Sequence, residues 1–127
     1  MTFTGIHHVV IRVKELEEAA NHWGQELGLA APRFGENTAL GVKQAFFDLP
    51  DGGFVELIAP LNAHSDIARV LDAKGEGVHL ISMSVLDSGS TASELKSRGV
   101  TILGQEKGPF FVHPKSANGV MLGMAEG

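Results

Sequence analysis

The chain repeats itself, and that repeat constrains the fold more than any other feature of the sequence. The segment GIHHVVIRV, from Gly5, aligns with GVHLISMSV, from Gly77. Both read Gly, aliphatic, His, then an apolar strand ending in Val. A helix-like segment follows each. In KELEEAANHWGQELG the residues Leu16, Ala19, Ala20, Trp23 and Leu27 recur at helical spacing, with Gly28 as the stop. In DSGSTASELKSRG either Asp87 or Ser88 caps the start, Ala92 and Leu95 face inward, and Gly99 ends the helix. Further on, QAFFDLPDGGFVELIA, from Gln44, aligns with PFFVHPKSANGVMLGMA, from Pro109. Each pairs Phe-Phe with a proline, a Gly-containing turn and an apolar strand. A remaining strand in each half is expected near residues 32–35 and 100–103.

The halves meet in APLNAHSDIARVLDAKGEG, where Ser65 is a helix N-cap and Ile67, Val70 and Leu71 form an apolar face. A half of roughly 60 residues is marginal alone. The chain is therefore expected to form one domain over residues 1–127, with a first module at about residues 5–60, a connecting helix at about 61–75 and a second module at about 76–125.

Composition removes several classes of function. With 43% hydrophobic and 20% charged residues, a packed core is expected rather than disorder. A net charge of -5 disfavours nucleic acid and anionic membrane as partners. There are no cysteines, which rules out disulfides, thiolate metal sites and cysteine nucleophiles. No apolar run is long enough to span a bilayer, and MTFTGIHHVV lacks the marks of a signal peptide, so a cytoplasmic location is expected.

Strand alternation then sorts the side chains. His8, Val10 and Arg12 share one face of the first strand; His7, Val9 and Ile11 share the other. Phe54, Glu56 and Ile58 share a face of the strand GFVELIA, and Glu56 stands among apolar neighbours, an unusual place for a charge unless the strand is half solvated. The repeat maps His8 onto Leu80 and Glu56 onto Gly123, so only the first half keeps polar groups at these positions. His79 matches His7, on the opposite face, and would need a bulge to turn inward.

These segments resemble the vicinal oxygen chelate (glyoxalase/bleomycin resistance/dioxygenase) superfamily, and within it the methylmalonyl-CoA epimerase branch. The resemblance is carried by GIHHVVIRVKELEEAANHWGQELGL, APLNAHSDIARVLDAKGEGVH and FFVHPKSANGVMLGM. It implies an α+β fold of two βαβββ modules forming a cupped mixed sheet, a divalent metal, a small-molecule ligand and a homodimer. Carried over position by position, the family's metal ligands fall on His8, Glu56, Leu80 and Gly123; two are kept and two are replaced by residues without donors. The family's two proton-transferring glutamates fall on Gly123 and Gln44, and an amide cannot act as a general base.

Three readings follow. His8 and Glu56 hold a divalent metal with an incomplete ligand set. Alternatively, Glu56 and His8 form a metal-free acid/base pair that abstracts a proton next to a carbonyl, as an isomerase/epimerase or a lyase. Or the chain binds a small molecule without catalysis, as antibiotic-sequestering, bleomycin-resistance-like relatives do. One Trp, no Tyr and seven Phe give limited material for an aromatic clamp. Candidate ligand contacts are Arg12, Gln44, Leu80, Ser82, Gly123 and Lys115. Arg12, on the His8 face, is the best placed for an anionic group. His113, Lys115, Ser116 and Asn118 lie in the last turn, where polar residues are either simply solvated or in reach of a ligand's polar tail.

Overall fold

The computed structural model describes residues 2–104 and 110–127. Pro109, the first residue of the second Phe-Phe segment, lies outside the described residues. The fold is mixed α+β, with eight strands among the described residues. The chain forms two compact units, one of residues 10–79 and one of the residues on either side of that stretch. The strand β1 (Gly5–Arg12) contributes to both.

In the unit of residues 10–79, β1 leads into α1 (Leu16–Asn21), a π-helical turn (His22–Glu26), β2 (Arg33–Asn37), β3 (Val42–Asp48), β4 (Phe54–Pro60) and α2 (Asp66–Lys74). The strand order is β2-β3-β4 followed by the end of β1, with β2, β3 and β4 antiparallel. The β3–β4 turn closes where Leu49 N–H donates to the Gly53 carbonyl at 2.9 Å and Gly52 takes φ 91°, a conformation that favours glycine. Alternation then gives the sheet two chemically distinct faces. Ala45, Phe47, Leu57 and Ala59 point one way and pack with Val13, Leu16 and Ala20 into the core. Arg33, Gln44, Phe46, Phe54 and Glu56 occupy the other face.

The expected first helix is interrupted. Leu16 and Ala20 are buried as predicted, but Leu27 is 54% exposed. Leu27 N–H bonds the His22 carbonyl, a five-residue step that widens the turn and rotates the following residues off the 3.6-residue stripe. Leu29 packs against the core instead. The other helix starts agree with expectation. Ser65 accepts from Ala68 N–H at 3.4 Å at the head of α2, and Ile67 and Leu71 are buried there.

In the other unit, β5 (Gly77–Val85) enters from the first, followed by α3 (Ser88–Ser97), β6 (Ile102–Gly104), β7 (Phe110–Val112), a 3-10 turn (Pro114–Ser116) and β8 (Leu122–Glu126). The order is the start of β1, then β5-β8-β7-β6. β5 and β8 run parallel, while β7 is antiparallel to both its neighbours. Asp87 is the cap of α3, accepting from Ser90 N–H at 2.9 Å. Ala92 and Leu95 pack with Phe110 and Val112. Among the described residues, no helix is long and apolar enough to cross a membrane.

Candidate functional site

The polar face of the β2–β4 sheet follows from strand register. Arg33 pairs with Phe46, and Phe46 pairs with Glu56, so the three lie in one row across β2, β3 and β4. The next row holds Gly35, Gln44 and Ile58. Gln44 and Glu56 are therefore diagonal neighbours on one face, within reach of each other. Gln44 Nε2 donates to Glu56 Oε2 at 3.0 Å. Phe46 and Phe54 flank the pair, ring edge to ring face, with centroids 6.0 Å apart. The Arg33 guanidinium lies over the Phe46 ring at 5.2 Å.

This environment shifts the Glu56 carboxyl. Burial raises its pKa above the usual carboxylate range, and the hydrogen bond from Gln44 offsets part of that rise. The apolar surroundings thus make Glu56 a stronger base than a solvated carboxylate, while Gln44 fixes its orientation.

His8 lies in the other unit. Alternation predicted that His7 and His8 point to opposite faces, yet their Nδ1 atoms stand 2.8 Å apart and their rings meet edge to face. One nitrogen must donate and the other accept, so a single proton is shared between them. Burial, and then the neighbouring His7, push the His8 pKa down to about 4.

Leu80 and Ser82 follow on β5, and Ser82 pairs with Gly123 of β8. A Cβ on Gly123 would sit 3.4 Å from Leu80 Cδ1 and 3.6 Å from the Phe111 ring. The two positions onto which the resemblance carries the family's second-half donors thus meet as an apolar contact here. Ser82 is buried. Lys115 is exposed in the 3-10 turn, where its backbone N–H donates to His113 Nδ1 at 3.0 Å.

Arg12 is engaged by backbone. Its Nε donates to the Gly75 carbonyl at 2.7 Å and its Nη1 to the Val78 carbonyl at 2.9 Å. It thereby ties β1 to the segment joining α2 and β5. Nearby, His79 Nδ1 is buried with no hydrogen-bond partner among the described residues. Burial, then Arg12 and Lys74, lower the His79 pKa. In the sequence Arg33 is one of four basic residues, with Arg12, Lys43 and Lys115, that no pattern brings together. The β2–β3 register, which sets Arg33 opposite Phe46, comes from the structure, because the sequence marks β2 only weakly.

The residues present do not make up the family's divalent cation site. His8 Nδ1 is engaged with His7, and Glu56 Oε2 with the Gln44 amide. Leu80 and Gly123 offer no donor atoms. Among the described residues, no group of three or more His, Asp or Glu stands together to hold a metal ion.

The described residues form a duplicated set of short strands and helices, with polar groups on one sheet face and a packed core behind it. The sequence model of the Glyoxalase/Bleomycin resistance protein/Dioxygenase superfamily matches residues 7–113, and the chain belongs to this superfamily. Among curated relatives, it is 32% identical to the ethylmalonyl-CoA/methylmalonyl-CoA epimerase of Cereibacter sphaeroides, over 92% of this chain and 93% of the relative. It is 30% identical to the mitochondrial methylmalonyl-CoA epimerase of Homo sapiens, over 92% of this chain and 70% of that one. Among solved structures, the methylmalonyl-CoA epimerase of Mycobacterium tuberculosis superposes with a TM-score of 0.86 at 29% identity, covering 98% of this chain and 89% of that one. A single-residue variant of the Streptomyces coelicolor methylmalonyl-CoA epimerase, in complex with 2-nitronate-propionyl-CoA, superposes at 0.85 with 27% identity, covering 98% of each chain. The chain is thus an epimerase-like member of the superfamily.

Proposed function

We propose that this chain binds a small acyl thioester or a related carbonyl compound on the Gln44–Glu56 face and moves a proton at the carbon next to the carbonyl. The single observation behind this reading is the half-buried Glu56 carboxylate, raised in basicity by burial and held by the Gln44 amide. The similarity to epimerases supports the substrate class.

In the proposed step, Glu56 takes the α-proton and the C–H electron pair moves into the carbonyl as an enolate. The carboxylic acid exchanges its proton with solvent and then delivers one to that carbon from the same side, restoring the C–H bond. Inversion needs a second donor on the opposite side of the enolate. The two positions onto which the resemblance carries the family's proton-transferring glutamates, Gln44 and Gly123, offer no acid for that role. The expected chemistry is therefore exchange of the α-hydrogen with retained configuration, and slow inversion.

The test is wash-in of solvent deuterium at the α-carbon of one methylmalonyl-CoA epimer, followed by NMR together with chiral analysis. Wash-in with retention, abolished in Glu56→Gln, is the expected result; no wash-in above the uncatalysed rate would rule out the catalytic reading. A second reading, ligand binding without turnover, draws on the Leu80–Gly123–Phe111 contact, which puts hydrocarbon where catalysis in the family needs donors. Tight thioester binding with no deuterium exchange would favour it. A homodimer and a cytoplasmic location are further parts of this proposal, resting on the family resemblance and on composition; sedimentation analysis tests the first.

A further inference from the structure

We infer that Arg33 is a specificity-determining residue that binds an anionic oxygen group of the ligand, on the far side of Phe46 from Glu56. The inference rests on the proposed function, because it names the class of substrate that the same face would take.

Three observations carry it. First, Arg33, Phe46 and Glu56 form one cross-strand row, so the cation and the carboxylate share a face and are separated by a single aromatic side chain. Two strand spacings put their backbones about 10 Å apart. The guanidinium closes part of that gap by lying over the Phe46 ring, 5.2 Å from its centroid.

Second, the guanidinium is oriented from both sides. Asp48 takes two bonds, at 3.3 Å from Nε and 3.0 Å from Nη2, and the ring supports its flat face. An arginine with no task beyond blunting an edge strand would need neither constraint; a lone exposed charge does that. Ordering the side chain in advance removes rotamer entropy that binding would otherwise cost.

Third, the Asp48 pair leaves Nη1 out. The guanidinium has a second edge, Nη1 with the other Nη2 hydrogen, and that geometry matches both oxygens of a carboxylate or phosphate. Asp48 weakens the net attraction for an anion but fixes the fork that recognises it. Arg12, by contrast, has Nε and Nη1 bonded to main-chain carbonyls, so Arg33 is the better placed guanidinium for an anionic group.

A ligand with a carbonyl near Glu56 and an anionic group near Arg33 therefore fits the row. That group is either a carboxylate on the acyl chain or a phosphate of the thioester's nucleotide arm. Calorimetric titration distinguishes them with three probes: methylmalonyl-CoA, propionyl-CoA, which lacks the acyl carboxylate, and methylmalonyl-pantetheine, which lacks the phosphates. Arg33→Gln is expected to weaken methylmalonyl-CoA binding about tenfold or more, and Arg33→Lys to recover only part of that loss. If Arg33→Gln weakens propionyl-CoA equally and leaves methylmalonyl-pantetheine unchanged, the group is a phosphate; the reverse pattern assigns the carboxylate. An unchanged melting temperature in both variants shows that binding, not folding, was altered. Equal affinity of wild type and Arg33→Gln for all three probes would overturn the inference and leave the proposed function standing. A wild-type chain that binds none of the three would overturn both.

Discussion

Gln44 and Glu56 lie on adjacent antiparallel strands, offset diagonally by two residues on the same face, and the amide of one donates to the carboxylate of the other at 3.0 Å. The hydrogen bond favours the ionised carboxylate while burial opposes it, and burial is the larger effect. Removing the amide should therefore shift the balance further toward the protonated form. In Gln44→Leu the acid limb of the exchange rate against pH is expected to move to higher pH, because Glu56 must be ionised to act as a base. A limb that stays in place would show that another group titrates.

Glu56→Gln should reduce α-hydrogen exchange by about a hundredfold or more, the usual size of a general-base contribution. The substituted amide keeps the volume and still has a partner in Gln44. Its unfolding free energy should change by less than about 1 kcal/mol, measured by denaturant titration.

His8 and His79 both have depressed pKa values, His8 down to about 4. A histidine that is harder to protonate when folded binds fewer protons than the unfolded chain as pH falls. Its stabilisation is present above its ordinary value near 6.5 and is lost as pH drops through the folded value. Stability should therefore decline from about pH 6.5 toward pH 4. With His8 only half buried, solvent screening reduces its share to about 1–2 kcal/mol. His8→Leu should flatten that decline in urea midpoints recorded across the range; an unaltered slope would refute this assignment.

The Leu80–Gly123 contact makes a two-site prediction. Gly123→Glu alone would introduce a carboxylate against Leu80 and the Phe111 ring, and should cost about 1–3 kcal/mol. Combining it with Leu80→His restores both family donors. Elemental analysis of the double variant should find more divalent metal than in the wild type, and equal metal content would count against the position-by-position match.

Phe47 is fully buried in the core behind the β3–β4 sheet, whereas Leu27 is 54% exposed. Phe47→Ala should cost about 3–5 kcal/mol. Leu27→Ala should stay within about 0.5 kcal/mol. A large loss at Leu27 would mean that the regular helix expected from sequence forms after all.

Much of this was legible because repeats and alternation report on geometry directly. The strand faces of Glu56 and Gln44 follow from counting residues, and Ser65 and Asp87 announce helix starts chemically. The π-helical turn was not legible, since one residue beyond the normal period leaves the apolar spacing of Leu16, Ala20, Trp23 and Leu27 looking regular. Nor was the fate of Arg12: a residue's face can be read from its strand, but its choice of the Gly75 and Val78 carbonyls depends on residues more than sixty positions away. The His7–His8 contact escaped for a related reason, because alternation orders Cβ directions and leaves ring tilt open.

The widened turn at His22–Glu26 also bears on how the chain tolerates changes in length. A π-helical turn holds one residue more than the α-helical turn it replaces. Deleting one residue there would convert the segment to regular helix and swing Leu27 toward the core, where Leu29 now packs. Insertions and deletions in this protein therefore have a natural register point inside a helix, a place where a frame of side chains can be advanced by one without breaking the element that carries it.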